Sequence, residues 1–200
     1  MPAIKFTKNE LKKQKDALKR FERYLPTLQL KKQQLQMVIR TVEQQERETR
    51  AAQEEVRARI NTWIELFGEE AGLADLVKIS KLETETGNIA GVDIPVFKSI
   101  VFEDIAYDLF ASPLWLDSGV EGMKKLIAFD VELKILQEQV ELLNQELRIT
   151  SQRVNLFEKV KIPETKNNIR KIRIYLGDQQ TAAVVRGKIA KKKIVVEKAS

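Results

Sequence analysis

The chain contains no cysteine and no histidine. The first absence removes disulfides, thiolate metal sites and cysteine nucleophiles. The second removes the commonest general base near neutral pH and the commonest transition-metal ligand. Glycine is scarce, at eight in 200 residues, and aromatics make up only 6%. With 32% of residues charged, that balance favours long exposed helices over a thick globular core. No stretch approaches about 18 consecutive apolar residues, so no transmembrane helix is expected. The N-terminus is polar and lysine-rich without an apolar core, so no signal peptide is expected and the cytoplasm is the expected location. Neither GxxxxGKS/T nor GxGxxG occurs, so no phosphate loop is present. Carboxylate neighbours such as Glu54/Glu55 and Glu69/Glu70 read as solvated helix surfaces. No metal-ligand cluster stands out and no cofactor is expected. An enzyme is therefore disfavoured.

What the chain does have is two heptad seams at its ends. Steps of three and four from Leu11 reach Leu18, Phe21, Leu25, Leu28, Leu35, Ile39, Val42, Val56, Ile60, Trp63 and Phe67. A second seam runs Leu126, Phe129, Leu133, Leu136, Val140, Leu143, Leu147, Thr150, Val154, Phe157, broken only by Thr150. Each seam asks for a partner helix. The nearest partner is the other end of the same chain. The expected fold is mainly α: a long antiparallel two-helix coiled coil with a short central β-hairpin and a short helix or loop segment. The expected divisions are 1–67, a long N-terminal helix; 68–118, the hairpin and loop; and 119–200, a long C-terminal helix with a basic tail, all forming one coiled-coil domain.

Local signals set the element ends. Thr7 followed by Glu10 fits a capping box, and so does Ser118 followed by Glu121, giving helix starts near Thr7 and Gly119. Gly68 and Gly72 end the first helix after about Phe67. Pro26 lies inside that helix and is expected to kink it near Tyr24 or Leu25. Three successive seam positions, Glu46, Thr49 and Gln53, are polar. They predict a tolerated polar layer, the alternative being splayed helices or contact with another chain. Around Thr86-Gly87-Asn88 a turn is expected to join two strands, with Pro95 at an edge or a bulge. A lone hairpin is marginal in water, so Ile94, Val96, Phe97, Ile100 and Phe102 are candidates to pack on the helix ends or on another protein. Pro163 interrupts the second helix. From this point the seam resumes one residue out of step, at Ile162, Ile169, Ile172 and Leu176.

Charge is segregated. Residues 1–67 carry 15 basic and 9 acidic groups, 68–120 carry 3 and 10, and 121–200 carry 17 and 10. The basic arms and the acidic middle suggest different partners. Lys8, Lys12 and Lys13 at one end, and Arg186, Lys188, Lys191, Lys192 and Lys193 at the other, are candidate contacts. Neither cluster interleaves aromatics for base stacking, which weakens a single-strand reading. The acidic middle argues against a duplex binder. A prefoldin-like chaperone would carry apolar tips, whereas these ends are basic. A scaffold or tethering rod remains as the general alternative.

The stretch RITSQRVNLFEKVKIPETKNNIRKIRIYL, beginning at Arg148, resembles the C-terminal helix signature of the D subunits of V-type and A-type ATPases and ATP synthases. The matching positions are Arg148, Thr150, Arg153, Val154, Asn155, Glu158, Ile162, Pro163, Asn167 and Ile169. The opening FTKNELKKQKDAL and the central NIAGVDIPVF resemble the same family, with Phe6 where proline is usual and Leu156-Phe157 where a small residue is common. The resemblance implies a non-catalytic rotor shaft, the central stalk, cytoplasmic and peripheral to the membrane, coupling ATP hydrolysis or synthesis to proton or other ion transport. It implies as partners the catalytic A and regulatory B subunits, a small stalk protein (the F subunit), and a funnel-shaped subunit on the membrane ring. It implies no nucleotide site on the shaft, and no nucleic acid is expected.

Overall fold

The computed structural model describes residues 4–62, 76–106 and 112–197. Helix α1 spans Lys8–Asn61, strands β1 and β2 span Ile79–Ile89 and Val92–Phe102, and helix α2 spans Leu116–Asn155. A π-helical turn, Leu156–Lys161, leads into helix α3, Ile162–Glu197. The architecture is the expected one: mainly helical, two long helical segments packed together, and a central antiparallel two-stranded hairpin. The chain divides into two compact units. One comprises 1–30 and 150–200; the other comprises 31–149.

Helix α1 begins as expected, with the Glu10 N–H donating to Thr7 Oγ1 at 3.2 Å, which satisfies one orphan donor of the first turn. The helix continues through Pro26. Its last described turn closes with the Thr62 hydroxyl donating to the Arg59 carbonyl at 2.7 Å. The expected end, with Trp63, Phe67, Gly68 and Gly72, lies outside the described residues. Along α1 the seam positions from Leu11 to Ile60 are buried or half-buried, the polar ones included.

In the unit of residues 31–149, α1 and α2 run antiparallel: Lys31 Nζ meets Glu146 Oε1 at 2.6 Å, and Gln53 Nε2 donates to Asp130 Oδ1 at 2.5 Å. The expected polar layer is therefore internal to the helix pair. Gln53 is 8% exposed, and its amide is answered from the facing helix rather than left to cost a buried polar group. Glu46 Oε1 likewise accepts from Gln137 Nε2 at 3.3 Å. The core joins both helices and the hairpin: Leu35, Ile39 and Val42, Leu136 and Leu143, and Ile94. At the other end of this packing, Gly122 lets α2 approach Ile60 closely. A Cβ there would sit 2.9 Å from Ile60 Cδ1.

Two sequence expectations are corrected here. The start of the second helix is at Leu116, not Gly119, so Ser118 lies inside the first turn and does not cap it. The N–H of Leu116 donates to the Pro113 carbonyl and the N–H of Gly119 donates to the Trp115 carbonyl. The turn at Pro113 thus sets the first helical bond three residues early. The hairpin turn is at Ala90-Gly91, not around Gly87. Ala90 and Gly91 have φ of 53° and 77°, the pair of positive angles that a two-residue type I′ turn requires. Asn88 braces it, its Oδ1 accepting from the Gly91 N–H at 3.1 Å and its Nδ2 donating to Asp93 Oδ1 at 2.6 Å. Gly87 is a strand residue paired with Ile94. A side chain there would press on Val96 Cγ2 at 3.0 Å.

In the unit of 1–30 with 150–200, the helices again run antiparallel, tied by Phe6 against Tyr175 and Phe21 against Phe157, with ring centroids 5.0 and 5.1 Å apart. Lys166 Nζ pairs with Glu22 Oε1 at 3.2 Å on the surface. Pro163 does not interrupt the helix as expected. The chain takes a π turn just before it, with the Ile162 N–H donating to the Phe157 carbonyl five residues back. A π turn inserts one residue into the helical ladder. That single residue is the phase skip of the seam: Val154 is buried before it, and Thr165, Ile169 and Ile172 are buried after it. Pro163, which has no N–H to give, falls where the ladder changes step.

Candidate functional site

The signature residues sort into two sets. Thr150, Val154 and Ile169 are buried on the seam and Ile162 is half-buried, whereas Arg148, Arg153, Asn155, Glu158, Pro163 and Asn167 lie on or toward the outer surface. The inward set explains packing. Thr150 is 1% exposed and its hydroxyl has no hydrogen-bond partner among the described residues, a cost of about 1–3 kcal/mol for a buried polar group. The outward polar set does no packing work, so its chemistry faces solvent or a partner.

The basic candidates all lie in the 1–30 and 150–200 unit and all are exposed: Lys8, Lys12 and Lys13 on the first turns of α1, and Arg186, Lys188, Lys191, Lys192 and Lys193 on α3. The basic tail from Arg186 is helical to Glu197. Past Tyr175, which packs on Phe6, residues 177–193 of α3 are exposed throughout. Val184, Val185 and Ile189, at 59, 49 and 53% exposure, are uncovered with the cations. An apolar stripe with flanking Lys and Arg is amphipathic surface with nothing of this chain on it among the described residues.

The hairpin supplies the second surface. Of its five candidates, Ile94 is 1% exposed and sits in the hairpin–helix core, while Ile100 and Phe102 are half-buried. Ile94 seats the hairpin on the helices. Val96 is 38% exposed and Phe97 half-buried. Both line a groove of about 510 Å³ between hairpin and helices, with Val38, Ile135, Gln139 and, at its rim, Glu48 and Glu132. Sequence reasoning missed Ile135 and Gln139, which are 7% and 6% exposed although both lie off the seam. The signal was Ile135 itself, an apolar residue one step from the stripe, which a second covering element explains. Gln139 Nε2 reaches the Pro95 carbonyl at 2.5 Å. On the hairpin surface, hydrogen bonds from Lys81 and then Ser99 hold the Glu83 carboxyl below its ordinary range, and the hydrogen bond to Glu83 with its charge holds the Lys81 ammonium above its own.

Among the described residues no group of three or more Asp or Glu side chains is arranged to hold a metal ion. No helix described is long and apolar enough to cross a membrane. The arrangement offers surfaces for contact and a stiff helix pair behind them.

Residues 10–192 match the family model for the D subunit of ATP synthase. The chain belongs to that family. It is 56% identical over 195 residues to the V-type ATP synthase D subunit of Borreliella burgdorferi, covering 98% of this chain and 96% of that one. It is 38% identical over 194 residues to the protein of the same name in Chlamydia muridarum, covering 96% of each. The counterpart in Chlamydia felis is 39% identical over 194 residues, covering 96% of this chain and 93% of that one. As a D subunit, the chain is a non-catalytic central-stalk component of a V-type rotary ATPase. The sequence resemblance therefore pointed to the right family, and the seam skip at the π turn falls inside the very signature that carried it.

Proposed function

We infer that the chain is the torque-bearing shaft of its complex, with its basic helix ends seated in a ring of catalytic A and regulatory B subunits. The observation that carries this reading is the stretch of α3 from 177 to 193, helical, basic and uncovered beyond the aromatic contact of Phe6 with Tyr175. A turning shaft needs contacts that re-form at every angle. Long Lys and Arg side chains do this, because their stems pack while their charged heads move. Each rotor angle would then favour a different conformation of each surrounding protein, and the coupling is the difference in contact free energy between those states. That difference would link ATP hydrolysis or synthesis to ion movement at the membrane ring.

The acidic hairpin end is the side we assign to a funnel-shaped protein on the membrane ring, with Val96 and Phe97 as contacts held in position by the buried Ile94. The small F subunit of the stalk is assigned to the flank of the Glu46–Gln53 stretch. Gln53 and Glu46 already have partners on α2, so the exposed Arg47, and Arg50 beyond its surface ion pair with Glu46, are the side chains this flank offers outward.

The test is co-expression of the full chain, tagged at Met1, with the other proteins of its complex, beside a version lacking residues 186–200. A one-copy complex whose ATPase regulation changes on truncation is expected. A truncated chain that supports full assembly and unchanged ATPase overturns the seating of the basic end. A full chain that never joins the complex overturns the shaft reading itself.

A further inference from the structure

The two edges of the hairpin are not equivalent. Ile89 and Val92 flank the two-residue turn, and pairing proceeds through Asn88↔Asp93, Gly87↔Ile94 and Thr86↔Pro95. In an antiparallel ladder, pairs that exchange hydrogen bonds alternate with pairs whose N–H and C=O point away from the partner strand. The pair closing the turn is bonded, so Thr86↔Pro95 is an outward pair. On β2 that outward edge is used: Pro95 has no N–H to leave unpaired, and its carbonyl is taken by Gln139 of α2. On β1 the outward positions are Leu82, Thr84, Thr86 and Asn88. All four are exposed, and among the described residues no backbone hydrogen bond outside the ladder reaches them. No proline guards β1, and its register is regular from Thr84 to Ile89.

We propose that the outer edge of β1 is a strand-addition site for an extended, basic segment of another protein of the complex, one alternating Lys or Arg with apolar or β-branched residues. The alternation of β1 sets that chemistry. Leu82, Thr84 and Thr86 share one face, beside Ile100, Phe97 and Pro95 across the ladder, and cross-strand neighbours there favour β-branched and apolar side chains. Glu83 and Glu85 share the other face, with side chains 41% and 61% exposed. Their ion pairs with Lys81 and Lys98 are surface pairs of small worth, and each carboxylate keeps free lone pairs for an incoming cation. A second copy fits worse. Antiparallel self-pairing over the whole of β1, 79 against 89, sets Glu83 of each copy opposite Glu85 of the other, and like charges directly opposed are destabilising.

Amide hydrogen exchange of the chain alone, at two concentrations, and within its purified ATPase complex tests this. In the complex, the amides of Leu82, Thr84, Thr86 and Asn88 should slow by about tenfold or more, as closed ladder bonds do. In the chain alone they should exchange freely while Gly87 and Ile94, inside the ladder, stay protected. A Thr84→Pro chain, which removes one outward N–H and no ladder bond, should lose the added protection; Thr84→Val, which keeps the N–H, should retain it. Unchanged exchange in the complex overturns the proposal. So does protection that survives Thr84→Pro, which would mean covering without strand addition. Protection that appears in the isolated chain and grows with concentration also overturns it, in favour of a second copy.

Discussion

The π turn at Leu156–Lys161 has two candidate causes, the proline that follows it and the seam that spans it, and they predict different outcomes for Pro163→Ala. Suppose the turn relaxed to an α-helix without loss of a residue. Every seam position after it would rotate by about 100°. Ile172, now 0% exposed, and Ile169, at 8%, would leave the interface, at about 1.5–3 kcal/mol each. Against this the helix would regain about one backbone hydrogen bond, worth roughly 1 kcal/mol net. The seam wins by several kcal/mol, so Pro163→Ala should keep the π turn and change stability by less than about 1 kcal/mol, since Pro163 falls where the ladder already breaks step. Deleting the exposed Lys159 together with Pro163→Ala should abolish the π turn, because the skip is then removed and steps of three and four run unbroken. Backbone chemical shifts of residues 154–166 and denaturant titration of both variants measure this. If Pro163→Ala alone gives a continuous α-helix with Ile169 and Ile172 still buried, the proline made the turn and the seam reasoning fails.

Two further substitutions probe how the hairpin and helices are held. Ile94→Ala should cost about 2–5 kcal/mol, as a fully buried aliphatic side chain does, and should speed amide exchange throughout β1 and β2; an unchanged hairpin would mean the Gln139–Pro95 hydrogen bond suffices to seat it. Gly122→Ala gains about 1 kcal/mol of helix propensity but forces a methyl against Ile60, an overpacking cost of about 1–3 kcal/mol. Denaturation should show a net loss that Ile60→Val, which removes the clashing Cδ1, recovers.

The seams were legible because a helix pair buries one stripe and little else, and the residues at steps of three and four from Leu11 are the ones covered. The one-residue skip was legible for the same reason, although its structural form was not: a break in phase at a proline reads equally as a helix end or as a π turn. The hairpin existed in the sequence as two β-branched runs, yet its turn was misplaced. Thr-Gly-Asn is a stronger turn signal than Ala-Gly, and the register that puts Ile94 inward is decided by the helices it packs on. Ile135 and Gln139 needed that tertiary contact to be understood. Of the candidate surfaces, the basic clusters were legible as exposed charge. The edge of β1 was not, because which strand of a hairpin faces outward depends on α2.

The skip also makes chain length a matter of phase. A residue gained or lost anywhere else along the paired helices would turn the following seam out of its interface. Between Phe157 and Ile162 the loss of one residue restores the simple repeat instead. A member of this family with one residue fewer in that interval should therefore carry an unbroken α-helix there and a seam in step from end to end. An alignment gap of a single position at this point would be a change of helix type, not an error in the alignment.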